Sequence, residues 1–231
     1  MDTVYLASPA FRGMRGDVAA AFYRHASQRR NLYLRVGASS LLTQSFNALW
    51  CAALNMRRTE PQLKYFAMLH DDIAPESWWL DSLLDEMDAY DLSVLSVAVP
   101  IKDARGLLSC GLSEPGEQWD AERFTMRQLA RMPATVLAED FPGKVLLLNT
   151  GCWVCRFNED WVEKVCFTIN DRIIKDESGN YVPQVEPEDW NFSRQLHALG
   201  VRVGVTRKVK VSHIGEFPYR NDAIWGVESD N

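Results

Sequence analysis

The sequence has no apolar run approaching the roughly 20 residues that a membrane-spanning helix needs. Its first residues, Met1, Asp2 and Thr3, carry neither the basic start nor the apolar centre of a secretory leader, so the expectation is a cytoplasmic protein. A basic excess is also missing: 25 Lys plus Arg face 31 Asp plus Glu, a formal charge of −6. Binding to nucleic acid through bulk charge is disfavoured, because phosphate contacts rest on a basic face, although a local basic groove is compatible. Histidine is scarce, with four among 231 residues, and the five cysteines are an odd number. Cys51, Cys110, Cys152, Cys155 and Cys166 lie mostly in apolar stretches and read as reduced core thiols. Internal repeats, low-complexity tracts and linkers are absent, and 47% apolar with 24% charged residues is the balance of an ordinary globular enzyme.

What is present alternates between two periods. Thr3 to Ser8 reads as a strand broken at Ser8-Pro9-Ala10, and a helix carrying Val18, Ala21 and Phe22 begins near Gly16-Asp17. Asn31 to Val36 is a second strand, Ser39-Ser40 a cap, and Leu42, Phe46, Leu49 and Ala53 one face of a helix. Lys64 to Leu69 is a near-continuous apolar strand of the kind buried on both faces. A helix from Pro75 and a strand over 92–99 follow. Beyond these, 145–148, 152–155, 201–205 and 209–211 read as strands, and Glu188 to Leu199 as a helix. This order implies a mostly parallel central sheet flanked by helices in one domain, with ligands at the carboxyl ends of the strands.

Three short constellations carry candidate chemistry. Leu69-His70-Asp71-Asp72-Ile73 puts acids directly after the most apolar strand, where carboxylate oxygens suit Mg²⁺ or Mn²⁺ and a metal can bridge a nucleotide diphosphate. The plainer reading is that Asp72 or Ser77 caps the next helix. Val185-Glu186-Pro187-Glu188-Asp189-Trp190 places three carboxylates at a helix start, where the helix dipole favours acids and where a general base is also possible. Val211-Ser212-His213-Ile214-Gly215 holds a histidine at a strand end, more often structural than a ligand. Cys152-x-x-Cys155 has the spacing of half a zinc site but no partner pair nearby in sequence. Arg207-Lys208 and Lys210 form a small basic patch.

The order of His70-Asp71-Asp72, Glu188-Asp189 and His213, with Asn149-Thr150-Gly151-Cys152-Trp153 between them, resembles the GT-A glycosyltransferases, family 2 and its relatives. The resemblance runs from Val4 to about Gly215. It implies an inverting, metal-dependent transfer of a sugar from a nucleoside diphosphate sugar, a UDP-sugar foremost, to an acceptor hydroxyl. In that reading Asp72 and His213 hold Mn²⁺ or Mg²⁺, Asp189 is the catalytic base and Glu188 its substitute. Ser8, Pro9 and Ala10 lie beside the nucleobase and ribose, with His70 and Asp71 near the ribose. Gly151, Trp153 and Trp190 stand on the acceptor side, and the tail from Glu216 to Trp225 closes as a lid. Residues 1–110 form the nucleotide-sugar half and 111–231 the acceptor half.

Two departures stand out: His70 replaces the first acid of the family's Asp-x-Asp element, and Phe46 precedes Asn47 where some phage and bacterial members carry Arg-Asn. Asn47 is the donor-binding candidate of that helix. Small phage-type relatives glycosylate hydroxymethylated pyrimidines in DNA, which adds DNA to saccharides as an acceptor and a host cytoplasm as the location. A sugar nucleotidyltransferase is the rival enzyme class, for which Phe11-Arg12-Gly13-Met14-Arg15-Gly16 is a faint glycine-rich basic loop. A sugar-nucleotide or glycan-binding module without turnover is the non-enzymatic rival.

Overall fold

The structure is a computed structural model, and it describes residues 2–227. The first half builds β1 (Thr3–Pro9), α1 (Gly16–Tyr23), β2 (Asn31–Gly37), α2 (Leu42–Arg57) and β3 (Leu63–Leu69). A short β4 (Ile73–Pro75) then precedes α3 (Trp79–Ala89) and β5 (Val94–Val97). The middle contains β6 (Leu107–Ser113), β7 (Glu122–Thr125), α4 (Met126–Arg131), β8 (Thr135–Leu137), β9 (Val145–Leu147) and β10 (Cys152–Arg156). It closes with β11 (Asn170–Lys175), β12 (Tyr181–Glu186), α5 (Glu188–Ala198), β13 (Val203–Thr206), β14 (Val211–Ile214) and β15 (Pro218–Arg220).

Seven strands form the central sheet in the order β2-β1-β3-β10-β5-β13-β8. β10 and β8 run antiparallel to their neighbours and the other strands share one direction, so the sheet is mostly parallel. Strand alternation explains why both faces are apolar. In β1 and β3, Val4, Leu6, Tyr65, Ala67 and Leu69 pack against Val18, Phe22, Trp79 and Leu83 of α1 and α3. The intervening Tyr5, Ala7, Phe66 and Met68 pack on the other face with Phe46, Leu49 and Trp50 of α2 and Phe192 and Leu196 of α5. The result is a three-layer α/β architecture of Rossmann type.

Two smaller sheets matter for the site. β4 pairs with β14, and β14 with β15, bringing the segment after β3 against the last part of the chain. β6 pairs with β7 and β9. The hairpin of β11 and β12 stands apart from the central sheet and leads directly into α5.

Candidate active site

β10 determines where the site forms. Inserted antiparallel between β3 and β5, it begins at the carboxyl edge of β3, with Cys152 opposite Leu69. The three residues before it, Asn149-Thr150-Gly151, therefore lie where an α/β sheet presents ligands. Ser96 holds this segment by donating to the Asn149 carbonyl (2.6 Å), and Asn149 Oδ1 accepts from the Gly151 N–H (2.8 Å). On one side Thr150 Oγ1 donates to Glu188 Oε1 (3.3 Å). On the other, the His70 N–H donates to the Gly151 carbonyl (2.8 Å).

His70, Asp71 and Asp72 follow β3 directly, and pairing of β4 with β14 places His213 opposite Ile73. The Ile214 N–H donates to the Asp72 carbonyl (2.7 Å), which fixes the two segments together. Asp72 Oδ2 points at His213 Nε2 (3.4 Å) and takes the Lys102 ammonium at 2.5 Å. His213 Nδ1 donates to the Pro100 carbonyl (2.6 Å), an atom that only accepts, so Nε2 is the nitrogen turned toward Asp72. Burial alone would raise the Asp72 pKa, but the His213 and Lys102 contacts pull it well below the usual carboxylate range. Burial lowers His70 to about 4, so that side chain is neutral at physiological pH. The Asp71 carboxyl is raised by burial and by its neighbour Asp72. His70 Nε2 and Asp72 Oδ1 are sealed from solvent without a hydrogen-bond partner.

Neither acid caps a helix. Residue 78 occupies the cap position of α3 in a left-handed conformation, with no side-chain cap bond, so the plainer reading of Asp72 fails. Asp72 and His213, which the resemblance implies as metal ligands, stand side by side. A divalent ion held by these two residues does not fit them as they stand. The oxygen facing His213 is occupied by an ammonium group, the other oxygen is sealed, and no group of three His, Cys, Asp or Glu side chains able to hold a metal converges among the described residues.

The second cluster is built at the start of α5, where Glu188 and Asp189 are each 8% exposed. Burial, then the neighbouring Glu188 charge, pushes the Asp189 carboxyl up to about 8, against the smaller opposing effect of the Arg123 guanidinium. Glu188 is raised by burial as well. Asp189 Oδ1 accepts from the Trp190 N–H (2.9 Å), and Ser193 Oγ donates to the Asp189 carbonyl (2.6 Å) while receiving the Leu148 N–H (2.8 Å). Arg123 stacks on the Trp190 ring at 4.8 Å and donates to the Leu108 and Ser109 carbonyls. A buried carboxyl with a raised pKa, beside one cation, has the properties of a proton acceptor at neutral to mildly alkaline pH.

Several expected site residues lie elsewhere in function. Ser8, Pro9 and Ala10 are buried, because β1 runs on to Pro9 and the Ala10 N–H continues the ladder to the Gly37 carbonyl; the accessible loop after β1 is Phe11 to Arg15. Asn47 is half-buried and uses both amide atoms on the backbone of Phe167 (2.8 and 2.9 Å), so it fastens a loop rather than facing a ligand. Trp153 is sealed at 1% exposure among Trp50, Phe66, Phe167 and Phe192, and presents no face to an acceptor. Trp190 is flanked by the Arg123 and Arg194 guanidinium groups. Glu216 to Trp225 is not a free lid: it includes β15, Asn221 is buried with three hydrogen bonds to backbone, and Tyr219 packs on Trp225.

The basic patch is engaged too, since Lys208 pairs with Glu86 (2.6 Å) and Arg207 donates to the Met132 carbonyl. Cys152 and Cys155 lie in the cores on opposite faces of the sheet, and burial raises both thiols well above their ordinary pKa. Cys51 and Cys166 are exposed rather than core thiols. Glu186 accepts from Gln118, Asn170, Asn191 and Arg194, tying the β11–β12 hairpin to α5. Lys102 and Arg123 were not visible as site residues in the sequence, because Lys102 lies in an irregular segment and Arg123 in a four-residue strand, neither with a motif around it.

The fold and site together define a class: a mixed α/β protein of Rossmann type with acidic and imidazole side chains gathered at the carboxyl edge of a mostly parallel sheet. Among solved structures, A197 from STIV matches over 100% of both chains with a TM-score of 0.53 at 13% identity, which supports the fold alone. A CMP:2-keto-3-deoxy-manno-octonic acid synthetase complexed with CTP matches over 89% of both chains at 11% identity, but its TM-score of 0.40 carries no argument. No family model matches the chain, and no curated protein matches it in sequence.

Proposed function

We propose that this chain binds a nucleoside diphosphate sugar, a UDP-sugar foremost, and transfers the sugar to an acceptor hydroxyl with inversion at the anomeric carbon. One observation carries the reading. The segment Asn149-Thr150-Gly151 touches a buried carboxyl pair through Thr150 and the His70–Asp72–His213 cluster through Gly151, at the sheet edge where nucleotides bind. In this scheme the diphosphate lies on the Asp72 side, with the nucleoside toward the ends of β1 and β2. Asp189 takes the proton as the acceptor oxygen bonds to the anomeric carbon. The bond from that carbon to the diphosphate oxygen breaks, and the nucleoside diphosphate leaves with the electron pair. Glu188, held by Thr150, stands beside Asp189, and its negative charge opposes ionisation of Asp189.

A thermal-shift screen of nucleoside diphosphates and their sugars tests the donor, because a specific ligand stabilises the folded state by mass action. Turnover is then followed as release of nucleoside diphosphate with saccharide or hydroxymethylated-DNA acceptors. Donor binding together with acceptor-dependent release supports the reading. Binding without release under any acceptor supports a non-catalytic module.

A second reading, sugar nucleotidyl transfer, is favoured by a different feature. Arg12 and Arg15 stand exposed in the loop after β1, and neither makes an ion pair among the described residues, leaving two cations free for a triphosphate. Incubation with a sugar 1-phosphate and nucleoside triphosphates separates the two, since only nucleotidyl transfer releases pyrophosphate.

A further inference from the structure

We propose that Lys102 supplies the positive charge for the donor diphosphate that a divalent ion would otherwise provide, so that this chain binds nucleoside diphosphates without a metal. The inference rests on the nucleoside diphosphate reading above.

Its first support is placement. The Lys102 ammonium lies 2.5 Å from Asp72 Oδ2, the same oxygen that faces His213 Nε2 at 3.4 Å. A cation bound between Asp72 and His213 would have to displace that ammonium, which already occupies and neutralises the carboxylate oxygen the ion would need. Lys102 uses one of its three donors on Asp72, and with its side chain 39% exposed the others are available to phosphate oxygens.

The second support is that Lys102 is held rather than wandering. Its stem lies along Gly215, where an added Cβ would stand 3.2 Å from Lys102 Cδ, closer than an ordinary van der Waals contact. The loop carrying it is fastened at both ends. Ile101 N–H donates to the Leu107 carbonyl (2.9 Å), and Asp103 receives the Arg105 N–H and guanidinium. Farther along, Gly106 and Gly226 cross so closely that a Cβ on either would come within 2.3 Å of the other strand's carbonyl oxygen, and Val227 N–H reaches the Ala104 carbonyl. The C-terminal strap thus fixes the loop that presents Lys102. An ordinary surface ion pair has no such scaffold and contributes little; a positioned ammonium at a sheet edge is the arrangement that stabilises developing phosphate charge.

The test is calorimetric titration of the full chain with UDP, GDP, CDP and ADP, in EDTA and in excess MnCl₂, for wild type, Lys102→Met and Lys102→Arg. The proposal expects one of these nucleotides to bind wild type in EDTA within about twofold of its affinity in MnCl₂, and Lys102→Met to lose about ten- to hundredfold of it while Lys102→Arg keeps most. Binding to wild type only when MnCl₂ is present, or affinity unchanged in Lys102→Met, overturns the proposal and leaves the nucleotide reading standing. Failure of all four nucleotides in both buffers overturns the nucleotide reading itself, and this inference with it. The wild-type comparison of the two buffers decides the matter even where Lys102→Met does not fold.

Discussion

Gly151 and His70 are joined by a 2.8 Å bond from the His70 N–H to the Gly151 carbonyl, and a Cβ on Gly151 would lie 3.4 Å from His70 Nδ1. The same Cβ would stand 2.3 Å from Ile73 Cδ1, so the strand start and the segment carrying Asp72 meet at a position with no room for a side chain. Gly151→Ala is therefore expected to cost about 1–3 kcal/mol by overpacking. Denaturant unfolding reads that loss, and nucleotide affinity should fall with it because Ile73 must move beside Asp72. Unchanged stability would mean that the two segments are not in contact.

Asp189 gives a pH signature in two observables. Its folded pKa is raised to about 8, so as a base it is competent only when deprotonated, and turnover should rise with pH through about 8. Stability runs the other way. The folded carboxyl keeps its proton where the unfolded one has lost it, so its contribution is complete below about pH 4 and is lost as pH rises through about 8. Asp189→Asn should abolish turnover, leave donor binding nearly intact and flatten the fall in stability across that window by a few kcal/mol. A variant with wild-type turnover would remove Asp189 from the chemistry.

The Arg123 guanidinium opposes the upward shift of the Asp189 carboxyl by its charge, and it covers one side of the Trp190 ring at 4.8 Å. Arg123→Met keeps much of the packing and removes the charge, so Asp189 should titrate higher still. The alkaline shift of the rate profile is the readout. A loss of activity with the profile unmoved would show Arg123 to be a packing residue alone.

The strap prediction concerns Gly106, whose φ of +78° is unfavourable for any other residue and whose added Cβ would stand 2.3 Å from the Trp225 carbonyl oxygen. Gly106→Ala should release the tail while leaving the central sheet intact. Hydrogen exchange should then quicken at Val227 and in the 101–106 loop, with β1 and β3 unchanged. Equal protection in wild type and variant would contradict a fastening role.

Most of the fold was legible because the strands of the sheet and the longer helices have strong periods. β1, β3 and β10 are apolar on both faces, and α2 and α5 carry apolar stripes, so length and alternation sufficed to find them. β4, β7, β8 and β15 were not legible: each is three or four residues long and exists only because of the strand it pairs with. The β11–β12 hairpin also escaped, since Ile173 and Tyr181 stand exposed at about three quarters of their surface and pack on no core that would reveal a period. Asp72, His213, Glu188 and Asp189 were readable as acids and an imidazole at element ends. Burial of Ser8 was not, because the reach of β1 depends on long-range pairing.

In the proposed function, a nucleoside diphosphate binds at the His70–Asp72–Lys102–His213 cluster together with the start of β10. Amide chemical-shift mapping of the full chain titrated with UDP and the other nucleoside diphosphates addresses it most directly. Saturable shifts are expected at His70, Asp72, Lys102, Gly151 and His213, with weaker ones at Phe11 to Arg15. Saturable shifts confined to the cavity lined by Met126, Arg207, Asn221 and Ile224, with this cluster unmoved, would contradict it.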